Sequence, residues 1–416
     1  MSSPPAVPSD RTASHPLQRC QQALTALLPL RDVDASALHQ ELREQRTALQ
    51  QLFSSLTEVH FARLTIVPAS ALEPRPQLLL ETSFDGELLP HLDGLWSGRD
   101  APLPRILRYC AGSQLACERS GFHAFIEQHL RRAAALYRSS DLSLASIQND
   151  ARVAALVQRH EQAAPLPREL PARLLWVAAL QHQVRSEPGV WLAGSTVRKP
   201  SREVSLGAYL VQRLGRFAAA ALTLPWLEVR DRYRERHLAS ACEGQVASDE
   251  LDSPPAGTLT HVVALRPGRL RASWLQLFLQ LADHVFAGQE LGARALPMLR
   301  SARWLLLPDA RLLFLGSYDG GLPALLAALA ERAVALTNLI WGHTHGFPAV
   351  GLYRPGGARK RAEVQQWLWA SQLPVQLWYS AYPTLTAVAV RRNQRVRELL
   401  AGPLDTRGAS ELCGLV

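Results

Sequence analysis

Two stretches of this chain repeat one another in order. HFARLTIVP (60–68) and LLLETSFDGELLPHL (78–92) match SARWLLLP (301–308) and LLFLGSYDGGLPALL (312–326). Asp85 and Asp319 correspond at an offset of 234, as do Leu80 with Phe314 and Gly86 with Gly320, whereas Ala62-Arg63 matches Ala302-Arg303 at an offset of 240. The change of six falls where ASALEPRPQ stands in place of DAR, so the length difference is confined to a hairpin turn. The likeness extends outward in both directions. ALLPLRDVDASAL (26–38) resembles ALRPGRLRASWL (264–275), and LYRSS (136–140) corresponds to LWYSA (377–381), each followed by a helix with Arg-Val at 152 or 395. A repeat this long limits the fold to two copies of one supersecondary unit.

Hydrophobic periodicity in the second copy reads as a strand in THVVAL and a helix in ASWLQLFLQLADHVF. A hairpin of ARWLLLP and RLLFLGSYDG, a helix from LPALLAALAERAVAL and a last strand VQLWYSAY follow. The order β-α-β-β-α-β is the split βαβ, or ferredoxin-like, unit. The chain is therefore expected to be α+β, with duplicated ferredoxin-like (βαββαβ) units of the pseudo-dimeric α+β barrel type and a helical insert between the copies. The alternative packing joins the two units through their helices. The domain plan is a disordered leader at 1–19, repeat 1 at 20–160, a helical connector at 161–257 with a mobile loop near 241–257, repeat 2 at 258–402 and a C-terminal tail at 403–416.

With 47% hydrophobic and 19% charged residues, the chain has the composition of a folded protein with a sizeable core. Its net charge of +9 is almost all arginine, since Lys199 and Lys360 are the only lysines, and the cations are spread along the sequence. A nucleic-acid surface would cluster them among aromatic platforms, so no nucleic-acid partner is expected. Five cysteines, at 20, 110, 117, 242 and 413, form no C-x-x-C pair, which argues against a disulfide framework or a structural zinc site and for a reducing compartment. The polar, proline-rich N-terminus lacks a signal pattern, so residence is expected to be cytoplasmic. No apolar run is long enough to span a bilayer, although 217–227 and 274–286 are apolar enough to lie on a membrane surface or bind a protein partner. Nothing in the sequence fixes an oligomeric state.

From LTHVVALRPGRLR through ARWLLLPDARLLFLGSYDGG, LTNLIWGHTHGFP and VQLWYSAYPTLTAVAVRRNQRVRELL, the second copy resembles a family of uncharacterised bacterial proteins. That family carries HFARW, SN[YF]DGSW, WSNTxGFP and WYSAYP motifs in this order. The present chain departs from it at Ser301, Gly316-Ser317, Leu322 and His343, where the family has His, Ser-Asn, Trp and Asn. More widely, GSYDG resembles the G-x-x-D-G motif of dye-decolourising peroxidases, haem proteins of tandem ferredoxin-like domains. That resemblance implies a haem, with Asp319 and Arg303 moving a peroxide proton and a histidine holding the iron from the opposite face. His261 is the strand histidine placed for that role.

Two readings therefore stand for each candidate. Asp319-Gly320 is a distal catalytic pair, or a repeated turn in which Asp caps the next helix and Gly supplies an unusual backbone angle. Arg63 and Arg303 pair with a buried acid or carbonyl, or present guanidinium to an anionic ligand. His261 is an axial ligand or a satisfied core histidine, and His343 with His345 is a weak metal pair lacking a third ligand. Trp341 and Tyr379, with Trp367, Trp378 and Tyr382, are core, or the walls of a pocket for a planar ligand. The leading expectation is a small-ligand or haem-binding protein, with a peroxidase-like oxidoreductase as its enzymatic form. The runner-up is a non-catalytic interaction or peripheral membrane protein.

Overall fold

The computed structural model describes residues 21–31, 35–96, 98–114, 118–193, 206–238, 256–287, 290–350, 356–403 and 405–415. The expected leader at 1–19 lies outside them. So does the expected loop at 241–257, apart from Ala256 and Gly257, which open a strand.

The first half runs β1 (Gln22–Pro29), α1 (Ala35–Glu44), α2 (Arg46–Ser55), β2 (Val59–Val67) and β3 (Gln77–Phe84), then α3 (Leu88–Leu95), α4 (Pro102–Leu107), α5 (Arg119–Gln128), β4 (Ala135–Arg138) and α6 (Leu144–Ala163). Helices α7 (Leu170–Ser186) and α8 (Leu206–Leu238) form the connector. The second half runs β5 (Ala256–Ala264), α9 (Arg269–Ala287), α10 (Glu290–Ala295), β6 (Leu299–Leu306), β7 (Arg311–Asp319), α11 (Leu322–Glu331) and α12 (Val334–Trp341). A 3-10 turn (Gly357–Arg359), α13 (Arg361–Ser371), β8 (Gln372–Leu373), β9 (Leu377–Ser380), α14 (Ala387–Ala401) and α15 (Thr406–Leu415) complete it.

The protein is α+β, with two antiparallel sheets of strand order β1-β3-β2-β9 and β4-β6-β7-β5-β8. The cores of the two sheets, β1-β3-β2 and β5-β7-β6, share one order, and both carry a register shift at the matching place, between Val59 and Phe61 and between Leu299 and Ser301. Side chains alternate across each strand. The even-numbered face of the first sheet, including Ala62, Leu64, Leu78 and Leu80, packs under helices. From the odd-numbered face, Leu27, Val67 and Leu79 pack against Leu305, Leu313 and Leu315 of the second sheet. The sheets thus meet face to face, with helices outside.

One expectation needs correction. Two separate βαββαβ units would each close their own sheet with their last strand, but the last strand of each half joins the other half's sheet. β4 pairs with β6 (Leu136 opposite Arg303), and β9 pairs with β2 (Ala62 opposite Tyr379). Strand order cannot be read from periodicity, because any strand with an apolar face satisfies the same alternation. The helices that follow the exchanged strands, α6 and α14, pack against each other.

The expected tail at 403–416 also contains a helix, α15, which buries Ala409 and Leu412 in a cluster with α6, α7 and α14. Helix α9 supplies core, including Trp274, Leu275, Phe278 and Phe286, so 274–286 is not a free surface. The apolar run 322–341 breaks between α11 and α12 with a bend of 98°. No single helix among the described residues is long and apolar enough to cross a membrane.

Candidate functional site

The Asp-Gly pairs end equivalent strands. Gly86 has φ +95° and Gly320 has φ +76°, both in the left-handed region that a side chain disfavours. The Asp319 carboxylate is fully engaged, with Oδ1 accepting from Arg300 Nε at 2.6 Å and Oδ2 from the Ala387 backbone N–H at 2.6 Å. Asp85 does the same in copy one, accepting from Gln21 N at 2.8 Å and from Leu144 N at 2.7 Å, with His60 Nε2 3.0 Å from Oδ2. His60 and Arg300 are themselves related by the offset of 240.

Each aspartate therefore caps a helix, but not the next one. Leu144 opens α6 and Ala387 opens α14, the helices that follow the exchanged strands. Helices α3 and α11, which directly follow the Asp-Gly turns, have no side-chain cap. Tyr382 lies between the two turns, its hydroxyl 3.3 Å from His60 Nδ1, and burial raises its pKa.

Between the sheets lies a second polar group. Arg63 donates from Nη1 to Leu259 O and Thr260 Oγ1, and from Nη2 to Gly316 O. Arg303 donates from the same atoms to Leu24 O, Thr25 Oγ1 and Thr82 O, which are the equivalent positions of the other copy, and also to Ser83 Oγ. One carboxylate serves both guanidiniums, Glu81 Oε2 at 3.1 Å from Arg63 Nε and Oε1 at 3.3 Å from Arg303 Nε. Its counterpart in copy two is Leu315. Burial lowers both arginine pKa values and Glu81 opposes the shift. The arrangement clamps sheet to sheet, using each guanidinium fork on two carbonyls, with one hydroxyl for Arg63 and two for Arg303.

The helix-facing side of the second sheet is aromatic. Trp304, Phe314 and His261 lie side by side across β6, β7 and β5, since Phe314 pairs with both of the others. Trp341 from α12 stands over this row, 6.2 Å from Trp304 and 5.3 Å from Phe314 between ring centroids. Trp367 from α13 meets His261 edge to face at 4.5 Å, and Phe286 stacks on Trp304 at 5.6 Å. Tyr137 of the exchanged β4 closes the row against Phe286 at 5.2 Å.

Five buried polar atoms of this region have no hydrogen-bond partner among the described residues: Trp304 Nε1, Trp341 Nε1, Tyr137 Oη, Thr337 Oγ1 and His261 Nδ1. His261 Nε2 does have one, the Ser371 hydroxyl at 2.8 Å. Burial drives the His261 pKa down to about 3, so the imidazole is neutral near pH 7. Burial also pushes the Tyr137 hydroxyl up to about 12, which keeps it a protonated donor.

No family model, curated protein or solved structure matches this chain.

His261 and Trp341 are brought together in the aromatic region. His343, two residues after Trp341, is buried at the end of α12 with its ring 5.7 Å from Phe278, while His345 is exposed, so the two imidazoles do not converge. No cluster of three or more potential metal-ligating side chains occurs among the described residues. Tyr379 is displaced from the group: β9 carries it into the first sheet, where it stacks on Phe53 at 6.0 Å. Asp319, Arg303 and His261 do not share a space. Arg303 points between the sheets, His261 lies on the opposite, helix-facing side, and Asp319 is held at the strand end by Arg300 and Ala387.

Glu81, His60, Arg300 and Trp304 escaped the sequence reading. A lone glutamate inside the apolar strand LLLETSF was the available signal for Glu81, and the 240 offset was the signal linking His60 to Arg300.

Proposed function

We propose that this chain is a small-ligand-binding protein of the tandem ferredoxin-like type, with its binding site in the aromatic region under α12 and α13. The duplication is supported by the shared strand order, the matched register shifts and the atom-for-atom equivalence of the Arg63 and Arg303 contacts. The observation that carries the binding reading is the set of buried, unpartnered donors on Trp304, Trp341, Tyr137 and Thr337. Leaving such a group unsatisfied costs about 1–3 kcal/mol, so three on the aromatic rings and one on α12 call for acceptors.

The chemistry of the walls defines the ligand class. Indole N–H groups only donate, so the ligand must offer acceptors. The row holds neutral groups, His261 included, so a neutral molecule suits it better than an anion. Stacked and edge-on rings favour a flat body. A neutral, flat, carbonyl-bearing compound fits all three conditions. A haem would use a different feature, the neutral His261 imidazole with Nδ1 unpaired.

Quenching of intrinsic tryptophan fluorescence by menadione and, separately, by haemin tests the reading. Saturable quenching by menadione, weakened in Trp341→Phe, is the expected result. A Soret band with haemin that is lost in His261→Gln would favour haem as the ligand instead. Absence of saturable quenching by either probe contradicts the proposal.

A further inference from the structure

We propose that the outer face of α8 binds the surface of a membrane rich in anionic lipid. The inner face of this helix is used up. Phe217, Ala220, Leu224 and Leu227 pack against Trp274, Leu277 and Phe278 of α9. At 100° per residue the opposite side gathers Val211, Leu214, Ala218, Leu222, Trp226 and Val229 into a sector of about 120°, and from Val211 to Val229 the stripe runs about 27 Å. Its five large side chains are between 61% and 80% exposed. The expectation for 217–227 is thereby refined, because Phe217 and Leu227 belong to the packed side and Leu222 and Trp226 to the open one.

Three features select a lipid surface over a second protein. First, the stripe offers apolar atoms in a continuous band with no side-chain hydrogen-bonding group apart from the Trp226 indole, which suits a non-directional partner. Secondly, its polar flank is cationic: Arg230 stands beside it over the Trp226 ring, and the exposed Arg216 lies further round the same flank. Between 206 and 230 the single acid is Glu228, which already accepts from Arg266 and Arg271. Anionic headgroups complement the cations on this flank. Thirdly, Trp226, 61% exposed on the stripe, is an amphipathic ring of the kind that prefers the headgroup level. The helix lacks the length of uninterrupted apolar sequence needed to span, so it would lie in the interface plane.

Flotation of the full chain with vesicles of phosphatidylcholine alone, or mixed with phosphatidylglycerol, provides the test. The chain should float with the mixed vesicles, float poorly with phosphatidylcholine, and be released as NaCl is raised. Leu222→Asp should lower vesicle partitioning roughly tenfold or more, because a charge replaces a buried apolar group. Arg216→Glu should weaken binding to the anionic vesicles selectively. Both positions are exposed, so circular dichroism and the melting temperature should match the parent chain, and Trp226→Phe should remove a blue shift seen on vesicle addition. No flotation with anionic vesicles, or flotation that Leu222→Asp leaves unchanged, overturns the proposal. A dimer in light scattering that Leu222→Asp dissociates, without vesicle binding, overturns it too and assigns the face to a second copy.

Discussion

Glu81 holds a position that its counterpart in the repeat, Leu315, does not share. It lies opposite Thr25 on one side and Arg63 on the other, and it faces Arg303 across the gap between sheets. Replacing it with Gln leaves two buried guanidiniums without a counter-charge, and loss of one partner from a buried ion pair costs about 3–5 kcal/mol. Urea denaturation of Glu81→Gln should show a midpoint lowered accordingly, and an unchanged midpoint would refute the clamp. That Arg63 and Arg303 would pair with an acid or a carbonyl was legible, because a guanidinium in mid-strand among apolar neighbours has to be satisfied. Which acid was not legible, because the repeat breaks its symmetry there and puts Leu315 at the matching site. His261 carries a second prediction. Its folded pKa of about 3 lies below the ordinary 6.5, so between these values the unfolded chain binds the extra proton and stability falls as pH drops. His91 shifts in the same direction through burial, so a comparison with the parent chain is needed. His261→Gln can keep a donor toward Ser371 without titrating. Its stability relative to the parent should rise as pH falls from 7 to 4, by up to about 1.4 kcal/mol per unit. Parallel curves would show that His261 is not held neutral.

The two Asp-Gly turns act on whole elements. The left-handed glycine was visible in the sequence, since Asp-Gly between a strand and a helix is a turn with a mechanism. The helix receiving the cap was not visible, because Ala387 lies 68 residues beyond Asp319 and comes within reach only when β9 crosses to the other sheet. Local pattern cannot report such an exchange. The same limit explains Tyr379, grouped by sequence with Trp341 but carried by β9 to the far sheet. In Asp319→Asn the oxygens facing Arg300 and the α14 N-terminus can no longer both accept as carboxylate oxygens, a loss of about 1–3 kcal/mol. Hydrogen exchange should then quicken in the first turn of α14 while α11 keeps its protection. Faster exchange confined to α11 would restore the next-helix cap and contradict the assignment.

For the molecule as a whole, the repeated turns and arginines were the most legible features and the pairing of the strands the least. Offsets of 234 and 240 anticipate the paired Asp-Gly turns and the paired arginines, and the structure sets both pairs in equivalent contacts. The exchange of β4 and β9 makes each sheet depend on both halves. It also brings Tyr137, a first-half residue, to the end of the second half's aromatic row. The row thus draws on both copies while the polar residues singled out in GSYDGG are committed to holding the fold together. The most direct test of that division is a high-resolution crystal structure of the full chain after soaking with menadione. Ligand density is expected beside Trp304 and Trp341 with acceptor atoms on their indole nitrogens, and the Asp319–Arg300 and Asp319–Ala387 contacts unchanged. Ordered water or protein acceptors on both indoles, with the ligand instead against Asp319, would contradict it.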